Sequence, residues 1–151
     1  MAMSVSTIPK RPVDILLVED DEGDAFLTNN ALTKGPVEFE LHVVKTGEEA
    51  LDFVYRRGEH GSAPRPDLIL LDLHLPGING KEVLAELKDH ADHRRIPIVV
   101  LTSSRAESDI LRSYNLHANA YMVKPGDPAI FDALAVNLQE WWFESATIPR
   151  R

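Results

Sequence analysis

Five short apolar segments recur along the chain, and a stretch with helical periodicity follows each of them. The segments at 15–18, 68–71 and 98–101 are continuously apolar, which is typical of parallel strands covered on both faces. The segment at 39–44 alternates apolar and polar residues, which favours an edge strand, and the fifth segment lies at 120–123. The pattern predicts an α/β fold of the (βα)₅ type, a doubly wound five-stranded parallel sheet with right-handed crossovers.

The intervening segments carry apolar residues at helical spacing, which predicts amphipathic helices between the strands. The apolar stripes are Ala50, Leu51, Val54 and Tyr55; Val83, Leu84 and Leu87; Ile110, Leu111 and Tyr114; and Leu134 with Leu138. Asp127 followed by Pro128 predicts the N-cap and first residue of the last helix. We expect one domain over 13–143, a polar lead over 1–12 and a tail over 144–151.

Composition narrows the classes of function. The chain has 151 residues with a net charge of −8, and no basic stripe that would favour direct nucleic-acid binding. It contains no cysteine, which excludes disulfides and thiolate chemistry and suits a reducing compartment. No apolar run approaches the roughly 18 residues of a membrane span. We therefore expect a cytoplasmic protein whose partners are neither nucleic acids nor membranes.

Reactive side chains follow the predicted strands directly. Glu19 and Asp20 follow the first strand, Asp72 the third, Thr102 the fourth and Lys124 the fifth. In open α/β sheets, ligands bind beyond the carboxyl ends of the strands, so these residues are expected to share one site. The site would combine several carboxylates with a hydroxyl and an ammonium group.

This set of groups favours phosphoryl chemistry assisted by a metal ion. Carboxylates gathered closely repel one another unless some are protonated or a cation is bound, and an oxygen-lined site suits Mg²⁺. A carboxylate such as Asp72 can act as a nucleophile towards phosphorus and give an aspartyl phosphate. Lys124 and Thr102 could then donate to the phosphoryl oxygens.

Four motifs resemble those of the response-regulator receiver family, and the similarity extends from about residue 14 to about residue 140. The motifs are ILLVEDD at 15–21, DLILLDLHLPGINGKEVL at 67–84, PIVVLTSS at 97–104 and AYMVKP at 120–125. The resemblance implies a flavodoxin-like strand order 2-1-3-4-5. It also implies a single-domain signalling protein of a two-component system that accepts a phosphoryl group from a sensor histidine kinase, not an enzyme acting on an external substrate.

The resemblance assigns roles to individual positions. They are Asp72 as phosphoacceptor; Glu19, Asp20, Asp72 and the backbone carbonyl of His74 as ligands of Mg²⁺; Thr102 and Lys124 as contacts of the phosphoryl group; and Thr102 with Tyr121 as the conformational switch. The resemblance further implies a cis peptide bond between Lys124 and Pro125.

A narrower resemblance links the chain to the stand-alone receivers that serve phytochrome-type kinases. It rests on SYNLHANAY at 113–121, the extended loop before Asp67 and WWFESATIP at 141–149. Adjacent aromatic residues cannot all face one core, so they either fold back over the last helix or meet another surface. We expect a homodimer through helix 4, strand 5, helix 5 and the tail. The expected interface residues are Ile110, Leu111, Tyr114, Trp141, Trp142 and Phe143.

Two other functions stay open on the sequence. An aspartyl-nucleophile phosphohydrolase characteristically has a second Asp two residues after the nucleophile, whereas this chain has His74 there. A receiver-like adaptor that is never phosphorylated would keep the fold without the reaction. His90 and His93 have a spacing that could bind zinc, but their polar helix end favours solvated side chains.

Overall fold

The structure is a computed structural model that describes residues 11–124 and 127–140, without the side chains of residues 128 and 134. In chain order the elements are β1 (Val13–Val18), α1 (Glu22–Leu32), β2 (Phe39–Val44), α2 (Gly47–Tyr55), a 3₁₀ turn (Gly58–His60), β3 (Leu68–Leu71), α3 (Gly80–Asp89), β4 (Ile98–Thr102), α4 (Glu107–Asn115), β5 (Ala120–Val123) and α5 (Pro128–Gln139). All paired strands are parallel, in the order β2-β1-β3-β4-β5. The predicted fold, the strand order and the edge position of β2 are confirmed.

The sheet separates two apolar layers because successive residues of each strand face opposite sides. Ile15 and Leu17 of β1 pack in the layer that holds α1 and α5, whereas Leu16 and Val18 pack in the layer that holds α2 and α3. Burial on both faces explains why β1, β3 and β4 are continuously apolar. Because the strands are parallel, their carboxyl ends meet at one edge of this buried sheet.

A glycine allows α3 to begin close to the end of β3. Asn79 is the N-cap of α3, and its side chain accepts a hydrogen bond from the backbone N–H of Glu82 at 3.0 Å. At Gly80, the first residue of the helix, a Cβ would collide with the carbonyl oxygen of Asp72. The helix can pack this closely against the segment of Asp72 because Gly80 has no side chain.

The predicted apolar stripes differ in where they face. Those of α2 and α3 are mostly buried against the sheet, as expected from amphipathic helices. Helix α4 instead buries Asp109 and Ser113, while Leu111 is 63% exposed and Tyr114 is 48% exposed. The apolar residues of α4 face outward because its inner side makes polar contacts, among them the hydrogen bond from Ser104 to Asp109.

Several predicted features lie wholly or partly outside the described residues. They are the lead over 1–12, the tail over 144–151, the aromatic residues Trp141, Trp142 and Phe143, the side chain of Leu134 and the Lys124–Pro125 peptide bond. The N-cap role of Asp127 is confirmed, because its carboxylate accepts from the N–H of Ala129 at 2.9 Å. Among the described helices, none is long and apolar enough to cross a bilayer.

A buried glutamine joins α5 to the end of α1. The side chain of Gln139 donates to the carbonyl of Leu32 at 2.6 Å and accepts from the N–H of Val37 at 3.1 Å.

Replacing Gln139 with leucine is expected to lower the free energy of unfolding by about 2 to 4 kcal/mol, because two buried backbone groups lose their partners. Urea denaturation measures the change. Asn137→Leu, at an exposed position of the same helix, serves as control, and a similar loss in both variants would contradict the assignment.

Candidate functional site

Three carboxylates meet at the carboxyl edge of the sheet. Glu19 and Asp20 follow β1, and Asp72 follows β3, the strand that pairs with β1 in parallel register. One oxygen of each carboxylate lies within 4.8 Å of the others. Glu19 and Asp72 are buried and Asp20 is exposed, so the group opens to solvent on one side. The structure therefore brings together the three acids that the sequence analysis assigned to one site.

The ammonium group of Lys124 lies among the carboxylates. Its Nζ donates to Glu19, to Asp72 Oδ2 at 3.1 Å and to Asp24 Oδ2 at 2.9 Å, and its side chain is 8% exposed. Burial lowers the pKa of Lys124, but the hydrogen bonds and charges of these three carboxylates outweigh burial and hold the pKa above its ordinary value. Lys124 is thus a permanent positive charge beside Asp72.

Asp72 is held as a carboxylate by donors on both of its oxygens. Thr102 Oγ1 donates to Oδ1 at 2.9 Å, and the backbone N–H of His74 donates to the same oxygen at 3.1 Å. Burial raises the pKa of Asp72, but the charge of Lys124 and these hydrogen bonds together bring it below its ordinary value. The side chain is therefore ionised and fixed in orientation, as a nucleophilic carboxylate must be.

The pKa of Glu19 is shifted in the opposite direction from that of Asp72. Burial raises its pKa to about 7, although the hydrogen bond and charge of Lys124 act to lower it. The negative charge of neighbouring Asp72 raises the pKa of Glu19 further, because two ionised carboxylates repel each other at close range. Three carboxyl groups, those of Glu19, Asp24 and Asp72, contact one ammonium group, and Asp20 lies beside Glu19 and Asp72. Acidic groups therefore outnumber the ammonium group, and a cation would offset the excess.

The donor set suits a hard divalent cation. The three carboxylates offer only oxygen atoms, and the exposed side of Asp20 leaves room for the waters that Mg²⁺ retains. The sequence analysis added the backbone carbonyl of His74 to this set. That assignment stays a prediction.

A second group of polar contacts lies at the mouth of the site. Tyr121 donates its hydroxyl to the carbonyl of Ser104 at 3.0 Å, and Ser104 Oγ donates to Asp109 Oδ2 at 2.6 Å. Asp109 also pairs with Lys81 of α3, and hydrogen bonds from Lys81 and Ser104 lower its pKa. These contacts connect β5, the segment after β4, α4 and α3 around Asp72.

The sequence analysis missed two acids that contribute to this region. Asp24 lies in the first turn of α1, where its charge is favourable to the helix N-terminus, and it also binds Lys124. Asp109 was passed over because the apolar residues that follow it defined the helix. Asp109 and Ser113 are four residues apart and share a polar face of the helix, and this spacing was the signal available.

The two histidines that follow α3 make aromatic contacts. The rings of His90 and His93 stack with centroids 4.4 Å apart, and each lies against Tyr55, at 5.4 and 5.2 Å. Among the described residues, no group of potential metal ligands includes either histidine. Both side chains are half-buried, so they are less solvated than the sequence analysis expected.

Comparison with known proteins matches most of the chain to one family. The response regulator receiver domain matches residues 15–135. The response regulator Rcp1 of Synechocystis sp. is 41% identical over 138 residues, covering 91% of this chain and 94% of Rcp1.

Two solved structures are similar along nearly their full length. The Mn²⁺-bound form of Rcp1 superposes with a TM-score of 0.86 at 41% identity, covering 92% of this chain and 100% of that one. The phosphorylated cyanobacterial phytochrome response regulator RcpA gives a TM-score of 0.88 at 41% identity, covering 93% and 100%. Fold and sequence thus agree on the same relatives.

Proposed function

The chain belongs to the response regulator receiver family of two-component signalling proteins, and we propose that Asp72 is the residue on which it accepts a phosphoryl group. One observation carries the proposal: Asp72 is an oriented, ionised carboxylate that contacts Lys124 and Thr102 beside the acids Glu19 and Asp20. The similarity to a phosphorylated regulator, RcpA, supports the same reaction.

The proposed reaction is the transfer of a phosphoryl group from a kinase phosphohistidine. A carboxylate oxygen of Asp72 forms a bond to phosphorus as the phosphorus–nitrogen bond breaks, and the imidazole of the kinase leaves. Lys124 offsets the negative charge on the moving group, and the hydroxyl of Thr102 donates to one of its oxygens. Because both residues already contact Asp72, little rearrangement precedes transfer.

Glu19, Asp20 and Asp72, with the backbone carbonyl of His74, would hold Mg²⁺ in this site. When bound, the ion supplies positive charge that offsets the carboxylates and the phosphoryl oxygens. The excess of carboxyl groups over ammonium groups supports a divalent cation, as does the Mn²⁺ bound by the similar protein Rcp1.

The signal would pass through Thr102 and Tyr121. Thr102 Oγ1 now donates to Asp72, and a phosphoryl group on Asp72 would compete for that hydroxyl and shift the end of β4. The hydroxyl of Tyr121 holds the carbonyl of Ser104, two residues beyond Thr102, so the aromatic ring would follow. We propose that phosphorylation shifts the population between two arrangements of the α4–β5–α5 surface.

We propose that the partner is a phytochrome-type sensor histidine kinase, acting in the cytoplasm where ATP supplies the phosphoryl group. The sequence identity with the phytochrome response regulator RcpA supports this choice.

In the test of this proposal, labelled, phosphorylated kinases of phytochrome and non-phytochrome type are incubated with the protein and Mg²⁺, and phosphoryl transfer is followed over time. Preferential transfer from the phytochrome type is expected. Transfer from neither type would contradict the phosphoacceptor proposal, and equal transfer from both would contradict only the choice of partner.

We further propose a homodimer through the α4–β5–α5 surface and the tail. Leu111 and Tyr114 expose apolar area on α4, next to half-buried Ile110. Trp141, Trp142 and Phe143, which lie outside the described residues, would extend the contact.

Light scattering after size exclusion should show a dimer, and Leu111→Glu should weaken the affinity of dimerisation at least about tenfold. Phe26→Glu, at a 68% exposed apolar residue of α1, is the control. A monomer at tens of micromolar, unchanged by beryllofluoride, would refute the dimer.

A further inference from the structure

A second cluster of potential metal ligands lies at the opposite end of β1 from the phosphoacceptor site. Asp14 of β1 pairs in register with Glu40 of β2, and Leu16 pairs with His42. Because side chains alternate along a strand, Asp14, Glu40 and His42 share one face of the sheet. The β1–β2 pairing therefore fixes the relative positions of two carboxylates and one imidazole.

The three side chains converge at a distance suitable for coordination. One ligand atom of each residue lies within 4.8 Å of the others, and His42 Nε2 lies 3.0 Å from Asp14 Oδ1. Ligands on a tetrahedral ion, with bonds of about 2.0–2.1 Å, are about 3.3 Å apart. An ion between Asp14 and His42 therefore requires these two ligand atoms to separate by only a few tenths of an ångström, while the carboxylate of Glu40 would approach from within 4.8 Å.

The surroundings orient Asp14 towards His42. One nearby cation, Arg11, is held by Asp67 through two hydrogen bonds of 2.9 Å each, and its Nη1 lies 3.9 Å from Asp14 Oδ2. The other oxygen, Oδ1, is the one that contacts the imidazole. Asp67 also accepts from the N–H of Asp14 at 2.9 Å, which fixes the backbone there.

Access and rigidity also suit a bound ion. Asp14 is buried, His42 is half-buried and Glu40 is exposed, so an ion would be held from inside and open to water from outside. The ring of His42 packs 5.3 Å from the ring of Phe53, which restricts its rotation. Preorganised ligands lose little conformational freedom when they bind.

We propose that Asp14, Glu40 and His42 form a binding site for a transition-metal dication, with Zn²⁺ as the best match. An imidazole nitrogen with two carboxylates suits Zn²⁺ and Co²⁺, whereas the all-oxygen group of Glu19, Asp20 and Asp72 suits Mg²⁺. The bound ion would join the edge strand β2 to the central strand β1. The site is separate from the proposed phosphoryl chemistry and does not depend on it.

Titration with Co²⁺ and Zn²⁺ tests the site in a full-length background carrying Asp20→Asn and Asp72→Asn, which removes two acids of the other cluster. Visible absorption of Co²⁺ and calorimetry with Zn²⁺ should show one equivalent bound. His42→Gln and Glu40→Gln should each weaken binding at least about tenfold. Glu38→Gln, at an exposed acid just before β2, is the matched control and should leave binding unchanged.

Two results would overturn the site. One is the absence of a saturable one-equivalent signal in the background protein, and the other is equal affinity in the His42→Gln, Glu40→Gln and Glu38→Gln variants. Circular dichroism verifies that each variant is folded. Since Glu40 is exposed, its variant should stay folded even if the His42 variant does not.

Discussion

Replacing Asp72 with asparagine is expected to abolish formation of a beryllofluoride adduct in the presence of Mg²⁺, together with phosphoryl transfer from a kinase. Asparagine has nearly the same shape, and its carbonyl oxygen can still accept from Thr102 and from the N–H of His74. The variant loses the charge and the nucleophilic oxygen and should keep the fold. Fluorine NMR of the adduct and intact mass after kinase treatment measure the two losses.

The neighbouring acid Asp21 provides a matched control. Its carboxylate caps α1 by accepting from the N–H groups of Gly23 and Asp24 at 2.8 and 3.2 Å. Asparagine is an equally good N-cap, so Asp21→Asn should form the adduct normally. An adduct on Asp72→Asn would place the phosphoacceptor elsewhere. An unsubstituted protein that forms no adduct would favour a receiver-like adaptor without phosphorylation.

The fold was predictable because its strands follow one strong pattern. Strands buried on both faces must be apolar throughout, and the alternation in β2 could only belong to an edge. Predicted strands begin or end within two residues of those observed, as for β1, which begins at Val13 and was predicted from residue 15. Residues at the carboxyl ends of strands could be placed together for the same reason, since parallel strands end at one edge.

Contacts between elements that are distant in sequence were not predictable in this way. The hydrogen bond of Asp24 with Lys124 joins α1 to the residue after β5, and periodicity does not specify how these two elements are placed relative to each other. Asp109 binds Ser104 and Lys81 because α4 turns its polar side inward, opposite to the usual orientation of an amphipathic helix. Local sequence predicts which residues share a helix face, but which face is buried depends on tertiary partners.

The metal site inferred on β1 and β2 illustrates the same limit. Glu40 and His42 are polar residues of an edge strand, and the sequence alone indicates only that they alternate with apolar neighbours. Their proximity to Asp14 follows from the register between β1 and β2, which no local pattern encodes. Residue type indicates that each of the three side chains could bind a metal ion, but only the strand pairing shows that they lie close together.

Replacing Lys124 with methionine is expected to slow phosphoryl transfer to Asp72 by about 100-fold or more, because the charge developing on the phosphoryl oxygens loses its fixed ammonium partner. The unfolding free energy should also fall by about 3 kcal/mol at neutral pH, since buried Glu19 and Asp72 would lose a cation. Rapid-quench kinetics with a phosphorylated kinase and urea denaturation measure these changes. Added Mg²⁺ should recover more stability in the variant than in the unsubstituted protein, because the variant has more uncompensated negative charge.

Lys81 distinguishes the specific role of Lys124 from a general effect of positive charge near the site. Its side chain is 34% exposed and pairs with Asp109 at the mouth, without a hydrogen bond to Asp72 among the described residues. Lys81→Met should therefore change the transfer rate by less than about threefold, as expected for a partly screened pair. Equal slowing in both lysine variants would show that long-range charge, not the contact of Lys124 with Asp72, controls transfer. An unchanged rate in Lys124→Met would remove Lys124 from the mechanism.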